Sequence, residues 1–315
     1  MSIATPLTTA AAGPDVAAAG PDVAAGGSTR RPAMDSQTPT KPTLRPFVIQ
    51  PRSGLQIVDL RELYAYRDLF RFLIWRQIKV RYAQSAIGIG WAVIQPLFSM
   101  IVFTIIFGRL AGLDSADAPY ALFSMAALLP WTYFSNAVTD GVMSLVSEAN
   151  MLRKVYFPRL LLPLSAVAAK LVDLAIAATL MTLLLVIYRQ PPTATIFCLP
   201  LAIGSMIVAA AGVSVWLTAL AVQYRDIKHA LAFLMQLAMY ASPVVYSTDI
   251  IPSSYRWVYA INPMVGVIET FRASILSSQP MPWDLLLIGT TGGVGLLLTG
   301  LMFFRSKEKI FADVA

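Results

Sequence analysis

The sequence predicts an all-α integral membrane protein in which six transmembrane helices follow an N-terminal amphipathic interface helix. Of its 315 residues, 57% are hydrophobic and only 13% are charged, and its mean hydropathy is +0.65. Soluble domains carry about 25% charged residues, so this deficit indicates that lipid is the solvent. Six apolar stretches between Ile87 and Phe304 approach or exceed the roughly 20 residues that a helix needs to cross a bilayer.

The six predicted spans differ in their polar content. The second and third contain charged side chains, so parts of both are expected to face protein or water. The fifth is short and ends in Ser242-Pro243. The spans are predicted at Ile87–Leu110, Tyr120–Val146, Leu160–Tyr188, Ala194–Val222, Ala230–Tyr246 and Trp283–Phe304.

Three segments outside the spans complete the predicted organisation. Residues 1–50 lack the basic start and apolar core of a secretion signal. The Gly-Pro in each copy of their seven-residue repeat excludes a coiled coil, so we predict a disordered cytoplasmic tail. Residues 51–86 are predicted to hold the interface helix, residues 87–304 the six-span domain, and residues 305–315 a cytoplasmic C-terminal tail.

The interface helix is predicted over Asp59–Tyr82. Apolar residues gather on one face of a helical wheel and polar, mostly basic residues on the other, although Glu62 and several aromatic side chains interrupt the pattern. Such a helix lies in the membrane surface with its basic side towards lipid phosphates. A plain helical lead-in to the first span is the alternative. The apolar face is Leu63, Tyr66, Phe70, Leu73 and Ile74, and the opposite face is Arg61, Asp68, Arg71 and Lys79.

Residues 247–282, between the fifth and sixth spans, have a different pattern. They contain Pro252 and Pro263, followed by a helical stretch, Met264–Leu276, that is too short to cross a bilayer and too apolar for an ordinary loop. We therefore predict one or two half-helices that enter the bilayer and return on the same side. A surface amphipathic helix is the alternative.

Lysine and arginine beside the spans predict the orientation. With both termini in the cytoplasm, fourteen basic residues flank the spans on the inside and four on the outside, as the positive-inside rule requires. The net charge of +7 is assigned to this bias and to lipid headgroups rather than to nucleic acid. The inner set is Arg61, Arg67, Arg71, Arg76, Lys79, Arg81, Arg153, Lys154, Arg159, Arg225, Lys228, Arg305, Lys307 and Lys309, and the outer set is Arg109, Arg189, Arg256 and Arg272.

The inner loop between the second and third spans, residues 147–159, combines cations with an apolar knob. Val155, Tyr156 and Phe157 follow two basic residues, and a solvated loop does not need them. A short helix that ends before Pro158 would seat this knob in a groove on a cytoplasmic partner. A basic loop that serves only to set the topology is the alternative.

Charged residues at membrane level have two interpretations. Lys170 and Asp173 are three residues apart, so they can pair on one helix face. They are predicted either to form a self-neutralised pair at a helix contact or to carry protons, as Asp140 and Glu269 also could in a proton-driven transporter.

The sequence contains no pattern for fuel consumption or metal chemistry. It has one cysteine, Cys198, one histidine, His229, and no glycine-rich phosphate loop or metal-ligand cluster. The chain is therefore expected to provide a path across the membrane while another subunit provides the energy.

Five motifs along the chain are Leu63–Tyr82, Gly88–Pro96, Leu152–Arg159, Ser242–Tyr246 and Tyr259–Met264. Together they resemble the permease subunit of type-2 ABC exporters for lipid-linked polysaccharides, the Wzm-like group that exports O-antigen, teichoic acid and galactan precursors. The resemblance covers roughly residues 57–310 and leaves out residues 1–50.

The resemblance implies the partners. Two copies of this chain would form a homodimer around a channel and bind two copies of a cytoplasmic ABC ATPase subunit, which would hold ATP and Mg²⁺. This chain would bind no cofactor or metal. The substrate would be a polyprenyl diphosphate-linked glycan such as galactan or O-antigen, and the location would be the bacterial cytoplasmic membrane, with lipids surrounding the spans.

The same resemblance implies roles for individual residues. Coupling to the ATPase is implied for Leu152, Arg153, Lys154, Val155, Tyr156, Phe157 and Pro158. The basic residues of the interface helix are Arg67, Arg71, Arg76, Lys79 and Arg81. The external gate would include Pro252, Trp257, Tyr259, Asn262 and Pro263. The aromatic channel lining would be Trp91, Trp131, Tyr133, Phe134, Tyr240 and Tyr246, with interfacial anchoring or helix packing as the alternative.

Two other classes of function compete with export by an ATP-driven permease. An ion-coupled secondary transporter usually has internal repeats, which the spans lack. An integral-membrane enzyme acting on a lipid-linked sugar would need loop carboxylates such as Asp114, Asp117 and Asp249, which show no recognisable spacing.

Overall fold

The computed structural model describes residues 60–83, 88–113, 118–148, 151, 156–190, 194–224, 226–276 and 279–308, and within these ranges the chain is helical and has no strand. The interface region contains α1 (Leu60–Ala65) and α2 (Arg67–Ala83). The bundle contains α3 (Gly90–Phe103) with a π-helical continuation (Thr104–Leu110), α4 (Tyr120–Ser147), α5 (Leu161–Ala169), α6 (Leu171–Ile187), a 3₁₀ turn (Ala194–Cys198) leading into α7 (Leu199–Gln223), α8 (Asp226–Tyr240), two 3₁₀ turns (Thr248–Ile250 and Ser253–Tyr255), α9 (Arg256–Tyr259), α10 (Pro263–Leu276) and α11 (Trp283–Lys307).

Four of the described helical stretches are long and apolar enough to cross a membrane. They coincide with the first, third, fourth and sixth predicted spans and lie at Gly90–Leu110, Leu161–Ile187, Ala194–Gln223 and Trp283–Lys307. The second predicted span forms one 28-residue helix, α4, whose composition is more polar. The fifth is shorter than predicted: α8 has 15 residues and ends at Tyr240 rather than Tyr246, because Pro243 cannot continue a helix.

Helix α4 lies at the centre of the bundle and contacts α3, α5, α6, α7, α8 and α10. Twenty of its residues are buried, so most of its surface faces protein, whereas the Asp140 side chain near its C-terminal end is 35% exposed. Helix α10 is more enclosed still, since all fourteen of its residues are buried against α4, α7 and α11. This burial differs from a helix lying on the membrane surface, which was the alternative for this segment.

The longest contact between helices joins α7 and α11. Small residues allow the two backbones to approach closely: a Cβ atom added to Gly212 would lie 2.7 Å from the backbone nitrogen of Leu297. Such close approach is typical of helix pairs in membranes, where van der Waals packing replaces the hydrophobic effect as the main attraction.

Two smaller apolar clusters lie away from the main core. One joins α2 to residues of α4, α5, α7 and α11, and Arg159 Nη1 at the same place donates a hydrogen bond of 2.8 Å to the Glu308 carbonyl. The other joins Ala260 and Val265 to Leu285. The first cluster therefore gathers the interface helix, the inner loop and the C-terminal end of α11, and its buried members are Leu73, Leu145, Phe157, Leu161, Leu162, Val215, Ala219 and Phe304.

Candidate coupling site between the interface helix and the bundle

Helix α2 is packed against the bundle through its predicted apolar face. Leu73 is fully buried, and Leu63, Tyr66 and Phe70 pack against the same cluster. The structure divides the predicted helix into α1 and α2, and these apolar residues lie on the side that contacts the bundle. This face was expected to contact lipid, whereas in the structure it contacts α5 of the bundle.

Polar side chains on α2 extend this contact. Arg76 Nη2 lies 2.5 Å from Glu148 Oε1, directly after the end of α4. The amide of Gln77 donates a hydrogen bond of 3.1 Å to Ser165 Oγ on α5. Neighbouring residues of α2 thus hold both sides of the inner loop, which joins α4 to α5.

A cluster of four charges lies at the C-terminal end of α2. Arg81 donates to Asp140 on α4 and, through Nη1 at 2.5 Å, to Asp173 Oδ2 on α6. Lys170 Nζ lies 3.0 Å from Asp140 Oδ2 and 3.5 Å from Asp173 Oδ2. We call Arg81, Asp140, Lys170 and Asp173 the charged cluster; its two cations balance its two carboxylates.

The predicted pairing of Lys170 with Asp173 is confirmed. Lys170 sits at the break between α5 and α6, where the third predicted span is interrupted. The participation of Arg81 was not foreseen, because its two acceptors are 59 and 92 residues away in sequence and no local pattern joins them.

Tyr82 adds a neutral donor to the charged cluster, since its hydroxyl donates to Asp173. Burial, followed by this hydrogen bond, raises the pKa of Tyr82 to about 12. The hydroxyl therefore remains protonated at physiological pH and continues to donate.

A cavity of about 230 Å³ opens beside the charged cluster. Its walls come from α2, α3, α4 and α6, so it lies where the interface helix meets the bundle. Its principal side chains are Arg81, Tyr82, Trp91, Gln95, Thr132, Tyr133, Asn136, Lys170 and Asp173.

The described part of the inner loop contains two neighbouring aromatic residues in opposite environments. Tyr156 is 82% exposed, whereas Phe157 is 4% exposed and packs in the apolar cluster that contains Leu73. The predicted knob was to present Phe157 to a partner; the structure instead packs this ring inside the chain, because apolar side chains of α2 and α5 surround it. Leu152, Arg153, Lys154 and Val155 lie outside the described residues.

The five basic residues predicted for the interface helix divide into two groups. Arg76 and Arg81 turn towards carboxylates of the bundle. Arg67, Arg71 and Lys79 are exposed. The guanidinium of Arg67 lies 4.7 Å from the ring centre of Tyr64 on α1, and Lys79 Nζ lies 4.7 Å from the ring centre of Trp75 on α2.

The aromatic residues predicted to line the channel differ in their burial. Trp131, Tyr133 and Phe134 on α4 are buried within the chain, where the Tyr133 hydroxyl donates to the Val167 carbonyl at 3.2 Å. Trp91 and Tyr240 are exposed, on α3 and α8. Tyr246 is partly buried.

The residues predicted for the external gate surround the start of α10. Asn262 caps this helix: its Oδ1 accepts a hydrogen bond of 3.0 Å from the Met264 amide, and Pro263 occupies the first helical position. The Tyr259 hydroxyl lies 2.8 Å from that of Tyr246, which ties this region to the segment after α8. Pro252 and Trp257 are exposed.

Helix α10 contains a buried ion pair that was not predicted from the sequence. Arg272, counted among the external flanking cations, is 1% exposed and lies 2.8 Å from Glu269, which is equally buried. Arg272 also donates to the carbonyls of Tyr246 and Val244 at 3.0 and 3.1 Å, and its guanidinium lies 3.7 Å from the ring centre of Phe123. The spacing of three residues between opposite charges was the available signal.

Residues 68–276 match the model of the ABC-2 type transporter family. The chain is 29% identical over 256 residues to the O-antigen export system permease protein RfbA of Myxococcus xanthus, covering 81% of this chain and 98% of that protein. It is 25% identical over 248 residues to RfbA of Klebsiella pneumoniae (78% and 95%) and 23% identical over 246 residues to the polysialic acid transport protein KpsM of Escherichia coli (75% and 92%). The family match extends from α2 to α10 and includes the charged cluster, so this chain belongs to the ABC-2 type transporter family and is a membrane transport permease rather than an enzyme.

Proposed function

We propose that this chain is the channel-forming permease of an ATP-driven exporter that moves a polyprenyl diphosphate-linked polysaccharide across the bacterial cytoplasmic membrane. The observation that carries this proposal is the match along nearly the whole length of relatives named for O-antigen export and polysialic acid transport. The five sequence motifs that resemble lipid-linked polysaccharide permeases support the same substrate class.

The proposed topology has six passages with both termini in the cytoplasm. The four long apolar helices support it, as does the gathering of the ends of α4, α7 and α11 in the cluster beneath α2. Helices α4 and α8 would complete the six. Residues 1–50 and 305–315 would be cytoplasmic tails, and α10, buried among other helices, would form the re-entrant gate on the external side.

The proposed mechanism starts at the inner loop. A separate ATPase dimer, holding ATP and Mg²⁺, would close and push on residues 147–159, where the exposed ring of Tyr156 offers a contact. The pair of Arg76 with Glu148 would pass this movement to α2, and Arg81 would pass it to α4 and α6. Transport would then follow from biasing a two-state bundle without bond chemistry in this chain.

A second copy of the chain would complete the channel. Helices α3 and α8 expose large apolar side chains, including Trp91, Phe98, Phe233 and Tyr240, which suit a face shared with another copy and with a glycan passing between them. The two carboxylates of the charged cluster each contact two cations, which favours a structural junction over the alternating proton carrier of the competing ion-coupled hypothesis.

Depletion of this chain in its host tests the proposal. Lipid-linked glycan is expected to accumulate on the cytoplasmic side while the surface polysaccharide disappears, and restoring the wild-type chain should reverse both effects. Re-expression with Arg153→Glu and Tyr156→Ala is expected to restore membrane insertion without restoring export. An unchanged amount of surface polysaccharide after depletion would contradict the proposal.

A further inference from the structure

The cavity beside the charged cluster is small and partly open. Pockets for drug-sized ligands measure about 300–1,000 Å³. A cavity of about 230 Å³ therefore suits a single ring rather than an oligosaccharide. It lies against Arg81, so a bound ring would touch the junction between α2 and the bundle.

The charges around the cavity favour a neutral ligand. Arg81 and Lys170 are both engaged by Asp140 and Asp173, so the cluster has no excess positive charge. An anion such as a diphosphate would have to displace these carboxylates and would then lie beside two negative charges. A neutral ligand can accept and donate hydrogen bonds at the margin of the cluster without breaking it.

Three polar side chains in the walls have unused hydrogen-bonding capacity. Gln95, Thr132 and Asn136 line the cavity, and none of these side chains makes a hydrogen bond to another residue in the described part of the chain. Amides offer donors and acceptors together, and the hydroxyl of threonine does the same. A ligand with several hydroxyl groups matches this set.

Two aromatic side chains, Trp91 and Tyr133, also line the cavity. Trp91 is 55% exposed overall, and Tyr133 forms part of the wall with its hydroxyl donating to the Val167 carbonyl. The flat apolar face of such a ring packs against the C–H face of a sugar. One aromatic platform, two amides and a hydroxyl therefore surround a ring-sized space.

We infer that this cavity binds one uncharged sugar ring of the exported glycan, with Trp91 as the stacking platform and Gln95, Thr132 and Asn136 as its hydrogen-bonding partners. The inference rests on the proposed export of a polysaccharide and adds a specific subsite to it. Recognition of the glycan would then take place next to Arg81 and Tyr82, at the C-terminal end of the interface helix.

Saturation-transfer NMR on the intact permease–ATPase complex in lipid nanodiscs tests this subsite. The probes are the methyl glycosides of galactose, glucose, mannose and rhamnose, with inorganic diphosphate as competitor. At least one glycoside is expected to receive saturation, and diphosphate should not displace it.

Trp91→Ala and Asn136→Ala should each weaken glycoside binding about fivefold, the effect of losing about 1 kcal/mol of binding free energy. Trp283→Ala, which removes an exposed ring outside the cavity, should have no effect.

Three results would overturn the subsite: no glycoside binds, neither variant weakens binding, or diphosphate displaces the sugar. Thermal unfolding of each variant is measured alongside, and Asn136→Gln should retain more binding than Asn136→Ala at equal stability. Export is followed in the same variants. Normal export with unchanged binding in both variants contradicts the subsite alone, whereas a wild-type complex that binds a glycoside but exports no polysaccharide contradicts the proposed function.

Discussion

At the scale of single residues, Arg272 shows how a cation is accommodated inside an apolar bundle. Glu269 neutralises it, the carbonyls of Val244 and Tyr246 accept two of its hydrogen bonds, and the ring of Phe123 covers its guanidinium. A buried charge is tolerated when it is both paired and hydrogen-bonded. The pair also holds the segment after α8 against α10.

Arg272→Leu is expected to destabilise the protein by about 3–5 kcal/mol, because it leaves the carboxylate of Glu269 buried without a partner. The additional substitution Glu269→Leu should recover part of this loss, since an apolar pair removes the unpaired charge. Thermal unfolding in detergent measures both variants. Arg256→Leu is the matched control: its partially exposed pair with Asp284 should contribute less than about 1 kcal/mol. A double variant no more stable than Arg272→Leu would contradict this account.

Sequence reasoning reached some of these side chains and missed others for a physical reason. The pairing of Lys170 with Asp173 was predictable because one helical turn separates them. The contacts of Arg81 with Asp140 and Asp173 depend on how α2 packs against two other helices, which no local pattern specifies. Arg272 was predicted among the external flanking cations, but the structure buries it within α10, where Glu269 neutralises it.

At the scale of elements, α2 and the inner loop form one structural unit. Leu73 and Phe157 share an apolar cluster, and Arg76 pairs with Glu148 at the end of α4. The sequence predicted both elements as separate regions near a cytoplasmic partner. Their contact with each other depends on tertiary packing and was visible only in the structure.

Phe157→Ala and Tyr156→Ala are expected to act differently although the residues are adjacent. Phe157→Ala should lower the free energy of unfolding by about 3–5 kcal/mol, because it leaves a cavity among packed side chains. Tyr156→Ala should leave the unfolding temperature unchanged, since the ring is exposed, but should reduce ATP-dependent export. Thermal unfolding and export are measured on both variants. Equal loss of stability in the two variants, or normal export by Tyr156→Ala, would count against the proposed division of roles.

Arg76→Glu is expected to reduce export because it places a second carboxylate beside Glu148. Reversing both charges, with Arg76→Glu and Glu148→Arg, should restore it. A double-mutant cycle on thermal stability should give an interaction energy of about 1 kcal/mol. Arg71→Glu serves as the control, since Arg71 is exposed and its nearest ionic partner, Asp68, lies on the same helix. Additive effects of the two single substitutions would show that the pair does not join α2 to the inner loop.

At the scale of the whole molecule, hydropathy predicted the all-helical class and four of the long apolar helices, because lipid imposes a simple length and composition rule. Hydropathy predicted the helices less accurately where they are surrounded by protein. The enclosed α4 tolerates polar residues, α8 is shorter than its apolar stretch, and α10 is buried in the bundle. These features depend on which helix contacts which, and hydropathy does not report that.

Cysteine labelling tests the proposed orientation. In a Cys198→Ser background, Ser253→Cys is expected to react with a membrane-impermeant maleimide in intact spheroplasts, because residue 253 is exposed on the proposed external side. Ser306→Cys, exposed near the end of α11, should react only after the membrane is opened. Labelling of Ser306→Cys in intact spheroplasts would contradict a cytoplasmic C-terminus.

Reconstitution into proteoliposomes tests the central claim that this chain supplies the path and a partner ATPase supplies the work. Lipid-linked polysaccharide should cross the bilayer only when the permease, the ATPase subunit and ATP are all present, and a pH gradient should not replace ATP. Uphill transport by the permease alone would contradict the claim.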